Sequence, residues 1–242
     1  MFTRLALPVA ATALLTGLAL QANATPGVTF NDAINDIDSG LATGNGTLDL
    51  VKMEVSHTAT DVVFQLTVNG NIGSTDWGKF MIGIANNKGY GTSSSDGWAR
   101  PITMSANGGM TNWIGSWVDQ GGGAENRSNQ TSWGLTGATY NGNFGVFSLS
   151  AGAQSTITYG VSIASLGMSI GDCFCFDAYS SGGGNDSAVD ALANPNFAVS
   201  NWGDAYDSGA STSFTYTLGA VPAPGAIALI GAAGLLARRR KA

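Results

Sequence analysis

The chain has 242 residues, of which only 11% are charged, and a formal net charge of −6. Five of the ten Lys and Arg residues lie within the first four and last five positions, whereas all 16 acidic residues lie between these ends. The body, residues 25–220, therefore carries five basic against 16 acidic groups, a net charge of −11. Such a surface repels nucleic acid and attracts divalent cations, so nucleic-acid binding is excluded. The body is long enough for one well-buried domain.

The N-terminal segment has the features of a secretory signal peptide. Arg4 precedes an apolar run that extends from Leu5 to Leu20. The sequence Ala-Asn-Ala then ends at Ala24 and matches the small-x-small pattern of a cleavage site. We therefore expect residues 1–24 to be removed on export.

The C-terminal segment combines an extended motif, an apolar stretch and a basic end. Pro222 and Pro224 fix an extended backbone and are followed by the apolar residues 225–237. As a helix this stretch would reach roughly 20 Å, less than the roughly 30 Å hydrocarbon core of a bilayer. Four cations complete the segment, and they would stay on the cytoplasmic side: Arg238, Arg239, Arg240 and Lys241. This pattern predicts a short hydrophobic helix in the inner membrane, with the body outside.

This arrangement resembles the PEP-CTERM sorting signal of Gram-negative surface proteins over Val221 to Lys241. The resemblance implies that an exosortase-type membrane enzyme recognises the proline motif and releases or transfers the protein. The body would then reach the cell surface or the extracellular matrix after transient anchoring. The central residue here is Ala223, where the family motif has Glu. The alternative is a plain C-terminal membrane anchor.

The composition of the body predicts an all-β domain. The chain contains 35 Gly residues and few charges, which is typical of many turns between short strands. Apolar residues alternate with period two in several segments, namely 48–55, 62–68, 80–84, 144–149, 157–163, 173–179 and 214–218. With shorter strands near Ile102 and Trp113, the pattern indicates about ten strands. We expect an antiparallel two-sheet β-sandwich of jelly-roll type, with helix limited to fragments such as 187–193.

From Asp49 to Asp207 the body is similar to family 9 carbohydrate-binding modules and DOMON domains. Three segments carry this resemblance: residues 62–66 (VVFQL), 76–80 (DWGKF) and 166–177, with LG, GD and FCFD. The resemblance implies ligand binding, often to sugar. It supplies no catalytic residue.

Four tryptophans, Trp98, Trp113, Trp117 and Trp133, are candidates for carbohydrate binding. In a strand over 112–119, the indoles of Trp113 and Trp117 share one face, and Ile114 lies on the other. If the aliphatic face is the buried one, the indoles remain accessible, and apolar sugar faces stack on such rings. The alternative is that these aromatics fill the core of a glycine-rich sandwich.

A second candidate site is a set of loop aspartates: Asp177, Asp186, Asp190, Asp204 and Asp207. Carboxylate oxygens suit calcium, and the glycines at 182–184 would let backbone carbonyls approach an ion. The spacing is not that of an EF-hand. The alternative is that these are turn aspartates with local capping roles.

The remaining reactive residues do not form a recognisable catalytic set. His57 is the only histidine, and we expect it at an exposed strand edge. Cys173 and Cys175 would share a strand face near the limit of disulfide geometry, which leaves free thiols and a strained bond both open. The body has two glutamates, Glu54 and Glu125, and no motif that pairs carboxylates for glycoside hydrolysis.

The sequence therefore predicts an exported, surface-sorted, non-catalytic protein that binds carbohydrate or is associated with an extracellular polysaccharide matrix. One alternative is a structural or adhesive surface protein without a specific small ligand. The other is a glycan-processing enzyme.

Overall fold

A computed structural model describes residues 24–42, 46–74, 77–88, 90–91, 94–197 and 199–221. All of them belong to one compact unit, Ala24–Val221. The predicted signal peptide up to residue 23, and the sorting motif from Pro222 onward, lie outside the described residues. Within the described part of the chain, no helix has the length and apolar character needed to cross a membrane.

The body is all-β and consists mainly of two sheets. The strands in chain order are β1 (Val28–Asn31), β2 (Leu50–His57), β3 (Asp61–Val68), β4 (Lys79–Ala85), β5 (Ile102–Met104), β6 (Asn112–Trp117), β7 (Gly123–Asn129), β8 (Trp133–Ala138), β9 (Val146–Ser150), β10 (Ser155–Ser162), β11 (Cys173–Ser181), β12 (Asp190–Ala191), β13 (Tyr206–Ser208) and β14 (Phe214–Thr217). Three-residue 3-10 helices lie at Ile72–Ser74, Ala106–Gly108, Asp119–Gly121, Thr139–Asn141 and Ala164–Leu166.

Both main sheets are antiparallel. The first sheet has the order β1-β2-β3-β10-β9. The second has the order β12-β11-β4-β6-β7-β8, and β14 also pairs with β11. A separate parallel pair joins β5 to β13. The expectation of an all-β chain with antiparallel sheets is thus confirmed.

The core lies between the inner faces of the two sheets. Phe64 of the first sheet contacts Phe174 and Phe176 of the second, with ring centroids 6.1 and 6.0 Å apart. The Tyr159 hydroxyl and Ser116 Oγ form a hydrogen bond of 2.8 Å across the same interface. Burial of each large apolar side chain here stabilises the fold by about 1.5–3 kcal/mol.

The period-two pattern gives the correct face for β3. Four of its five apolar side chains point into the core and are fully buried: Val62, Phe64, Leu66 and Val68. Gln65, between two of them in sequence, is exposed on the opposite face. Because successive strand side chains alternate between faces, the sequence alone identifies this strand and its buried side.

Much of the outer face of the second sheet is also buried, beneath residues 96–110, 186–197 and 199–208. Tyr179 of β11 points outward, and its hydroxyl is 2.8 Å from Ser208 Oγ. Its ring packs on Tyr206, which packs in turn on Phe197. Ile102 and Met104 of the parallel pair are fully buried in the same layer. Around β11, the second sheet is therefore covered on both faces, like the central sheet of a layered protein.

Two expectations are wrong. Residues 187–193 do not form a helix, because β12 lies there and pairs with β11. His57 is not exposed but buried, at 2% accessibility. Its Nε2 donates to the carbonyl of Gly219 at 3.0 Å, and its Nδ1 is 2.8 Å from the Tyr216 hydroxyl. Pairing with the chain segment after β14 therefore buries this strand end.

Trp113 of β6 is fully buried on the outer face of the second sheet. Its ring lies flat along its own strand, so that a Cβ atom at Gly115 would overlap the indole. A Cβ atom at Gly97, in the covering segment, would lie 2.5 Å from Cε3 of the same ring. The two glycines therefore provide the space that the indole fills.

We expect Gly115→Ala to lower the free energy of unfolding by about 1–3 kcal/mol, because the added methyl group overpacks a site that has no room for it. Urea denaturation of the two proteins measures the difference. The matched control is Gly134→Ala in β8, where the nearest atom to an added Cβ is 3.9 Å away. Equal stabilities of Gly115→Ala and Gly134→Ala would contradict the flat packing of Trp113.

Candidate functional site

A pocket of about 370 Å³ opens on the outer face of the second sheet. It lies where β4 and β6 pair, since Lys79 and Trp117 are opposite each other in the register. Two indoles and several polar side chains surround it, and the lining residues are Lys79, Trp98, Arg100, Trp117, Asp119, Gln120 and Gly184. We call this site the tryptophan pocket.

Trp117 is placed by the end of β6. It lies on the same strand face as Trp113 and Gly115, and its side chain is partly exposed. The ring packs over Gly123, its register partner in β7, where a Cβ atom would overlap Cζ2 of the indole. The missing side chain of Gly123 thus lets the indole lie along the sheet.

Trp98 is placed by a tight turn above the sheet. Oδ1 of Asp96 accepts hydrogen bonds from the backbone N–H groups of Trp98 at 2.9 Å and Arg100 at 2.8 Å. The indole Nε1 of Trp98 donates to Oε2 of Glu125 at 3.1 Å. Its ring meets Trp113 edge-on, with centroids 4.7 Å apart and planes at 71°. Both the backbone and the side chain of Trp98 are therefore held before any ligand arrives.

The indoles of Trp98 and Trp117 face the same space. Their centroids are 6.3 Å apart, and their planes are inclined by 42°. Both side chains are partly exposed, which leaves ring surface available to a ligand. Two rigid, inclined rings around a concavity form an apolar binding surface of defined shape.

Charged groups lie beside the indoles. Lys79 Nζ and Asp119 Oδ1 form an ion pair at 2.8 Å. Arg100 is only 3% exposed, and burial lowers the pKa of its guanidinium. Its Nη1 donates to Ser181 Oγ and to the carbonyl of Asp186, whereas its Nε has no hydrogen-bond partner among the described residues. That unpaired Nε is itself buried, so Arg100 supports the wall of the pocket.

The four predicted tryptophans have two different roles. Trp98 and Trp117 line the pocket. Trp113 does not face solvent, so the prediction of an exposed Trp113 is wrong. Trp133 is half-buried, and its Nε1 donates to the carbonyl of Ser95 at 3.2 Å, which supports the segment that carries Trp98. The sequence correctly separates indoles from aliphatics on β6, but it does not reveal that a loop covers the indole face.

The five predicted calcium ligands do not meet at one point. Asp177 is fully buried and accepts hydrogen bonds from Ser208 Oγ at 2.7 Å and from the N–H of Ala193 at 2.9 Å. Burial raises the pKa of Asp177 to about 7. The other four lie elsewhere. Asp204 accepts a hydrogen bond from the N–H of Asn201, and Asp207 accepts hydrogen bonds from Thr103 and Ser105. Asp186 is partly exposed, and Asp190 lies in β12.

Asp190 instead lies close to two aspartates that the sequence does not indicate as metal ligands. Among the described residues, the group of His, Cys, Asp or Glu side chains close enough to hold one metal ion is Asp32, Asp36 and Asp190. The acidic run around Asp32 and Asp36, just before the first strong strand, is the signal that could have identified them. Its distance in sequence from Asp190 hides the cluster.

The two cysteines are free thiols in β11. Cys173 is exposed and Cys175 is partly buried. Cys175 Sγ lies 3.6 Å from Thr215 Oγ1 of the paired strand β14. The sequence leaves open two buried free thiols or a strained bond; the structure shows free thiols, but Cys173 is exposed rather than buried.

Comparison of the chain with protein-family models, with curated proteins and with solved structures found no match. The function is therefore argued from the geometry of the site.

We expect the turn that holds Trp98 to become less stable as pH rises. Burial raises the pKa of Asp96 to about 6 from an ordinary value of 3.8. The native state thus holds this proton more tightly than the unfolded state, so the stabilisation is complete below pH 3.8 and is lost as pH rises through about 6.

The variant Asp96→Asn keeps the Oδ1 acceptor but removes the titration. Between pH 4 and pH 7 the wild type should lose on the order of 2–3 kcal/mol relative to this variant. Urea denaturation at several pH values measures both proteins. Parallel pH profiles would show that Asp96 does not titrate in this range.

Proposed function

We propose that this protein is exported, is not an enzyme, and binds carbohydrate in the tryptophan pocket. The observation that carries the proposal is the pair of partly exposed indoles, Trp98 and Trp117, held around one concavity with polar groups at its edge. The proposal depends on this geometry.

Sugar rings suit such a surface because they carry apolar C–H faces and polar edges. The C–H face of a sugar packs against an indole, and its hydroxyl groups require donors and acceptors in fixed positions. Lys79 and Gln120 supply donors around the two rings, and Asp119 supplies acceptors. The pocket therefore offers a sugar an apolar wall and a polar rim.

The rigidity of the pocket favours binding. The hydrogen bond from Trp98 to Glu125 fixes one ring in the free protein, and the packing of Trp117 on Gly123 fixes the other. Arg127 Nε also donates to Glu125 Oε2 at 2.8 Å, so the carboxylate that orients Trp98 is itself held. Little side-chain freedom remains to be lost when a ligand binds.

The proposal includes export and sorting through the two ends of the chain. The signal-peptide pattern ending at Ala24 and the motif from Pro222 to Lys241 support delivery to the cell surface or to a polysaccharide matrix. An exosortase-type enzyme would act on the C-terminal motif, and polysaccharide would be the partner of the body. A structural or adhesive role without a specific ligand is the alternative that the binding experiment distinguishes.

We expect Trp117→Ala to weaken binding to polysaccharide by about tenfold. The variant loses one stacked ring, which contributes on the order of 1 kcal/mol, and also the apolar area that this ring would bury against the sugar. Affinity electrophoresis or pull-down with a panel of insoluble and soluble polysaccharides provides the measurement. Thermal melts of the same samples report on the fold.

The control is Phe214→Ala, which removes a half-buried aromatic side chain that packs on Phe30 and Phe176 and lies outside the pocket lining. It should reduce stability more than it reduces glycan affinity. Failure of the wild type to retain any polysaccharide would overturn the proposal and leave the structural or adhesive role.

The sorting proposal makes a separate prediction. Protein isolated from the native cell surface should lack residues 1–24 and the segment after Pro224, because signal peptidase and the sorting enzyme would remove them. Intact-mass spectrometry measures this directly. A species that still carries Arg238, Arg239 and Arg240 would favour a plain membrane anchor.

A further inference from the structure

Three carboxylates meet where the first and second sheets come together at one edge of the sandwich. Asp32 and Asp36 lie in the loop after β1, and Asp190 lies in β12. Their ligand oxygens are all within 4.8 Å of one another. We propose that Asp32, Asp36 and Asp190 bind one calcium ion.

Three buried carboxylate oxygens of this cluster have no hydrogen-bond partner among the described residues. They are Oδ2 of Asp32 and both carboxylate oxygens of Asp36, and each exposes less than 1 Å². A buried polar oxygen without a partner is costly, and a buried charge is more costly still. A cation among these oxygens would satisfy all three atoms at once.

The three carboxylates lack a positively charged partner among the described residues, because no Lys or Arg there forms an ion pair with any of them. Asp49 and Asp177 also lie close enough to Asp32 to repel its negative charge. The protein thus concentrates negative charge without providing its own counter-charge.

Asp190 is held in place by the fold, and its carboxylate can still bind a metal ion. It is fully buried, and its Oδ2 accepts the backbone N–H of Leu50 at 2.6 Å. Its Oδ1 accepts the N–H of Ala191 at 2.8 Å. Each oxygen makes one such bond and therefore keeps a second lone pair for a metal ion.

The ligand set selects the metal. All ligand atoms are carboxylate oxygens, which suit hard divalent cations, and no His or Cys is present in the group. Calcium accepts six to eight oxygens at about 2.3–2.6 Å, including bidentate carboxylates, and tolerates irregular geometry. Asp36 has two free oxygens for bidentate binding, and water or backbone carbonyls would complete the shell. Magnesium requires a tighter octahedron.

A calcium ion here would join two parts of the chain, the loop after β1 and strand β12. The backbone N–H of Asp32 donates to the carbonyl of Val51 in β2, so the loop is anchored to the first sheet. Asp190 belongs to the second sheet through β12 and contacts β2 through Leu50. The ion would therefore cross-link the sheets. Its residues do not line the tryptophan pocket, so this inference stands independently of glycan binding.

The experiment compares thermal melts of the body in EDTA and in millimolar calcium, together with calcium titration by calorimetry. At a hundredfold excess of calcium over its Kd, the melting temperature of the wild type should rise by about 5–10 °C. Asp36→Asn should abolish most of this rise, because it removes a ligand charge without breaking any hydrogen bond that the described residues make.

The matched control is Asp38→Asn, which makes the same charge change two residues away at an exposed position. Asp38 Oδ1 accepts only the N–H of Gly40 among the described contacts, and the amide oxygen of Asn can keep this bond. This variant should respond to calcium like the wild type. An unchanged wild-type melt, an equal response in Asp36→Asn, or a larger response to magnesium than to calcium would overturn the calcium assignment.

Discussion

The packing of Trp113 between two glycines is the contact on which the outer side of the second sheet depends. The indole N–H has no hydrogen-bond partner among the described residues, which costs about 1–3 kcal/mol. Burial of a tryptophan removes about 150–250 Å² from water and contributes roughly 4–6 kcal/mol, so packing prevails. Trp98 rests on this ring, and the turn that carries Trp98 also carries Arg100. The tryptophan pocket is therefore built outward from a buried side chain that does not touch its space.

Much of the sandwich could be predicted because its inner faces follow a local rule. Strands such as β3 and β4 place large apolar residues on the inner face, and period two reveals them. Strands β7 and β8 are rich in Gly and polar residues and carry little of this signal. The pairing of β7 with β6, and of β8 with β7, is decided by tertiary contacts, which no short window of sequence contains.

The site was predictable only in part, for a related physical reason. The sequence places Trp113 and Trp117 on one strand face, and the structure agrees. Whether that face meets water depends on the segment around Trp98, which folds over the sheet from an earlier part of the chain. In the same way, Asp190 was selected as an oxygen ligand, but its neighbours Asp32 and Asp36 come from the other end of the body.

His57 links the two ends of the body. Its ring bonds to the carbonyl of Gly219, and its backbone carbonyl accepts the N–H of Thr25 at 2.8 Å. The polypeptide thus enters and leaves the sandwich at one place. A short linker between these points would close the body into a ring, which makes it a natural candidate for circular permutation or for insertion as a module into a surface loop of another protein.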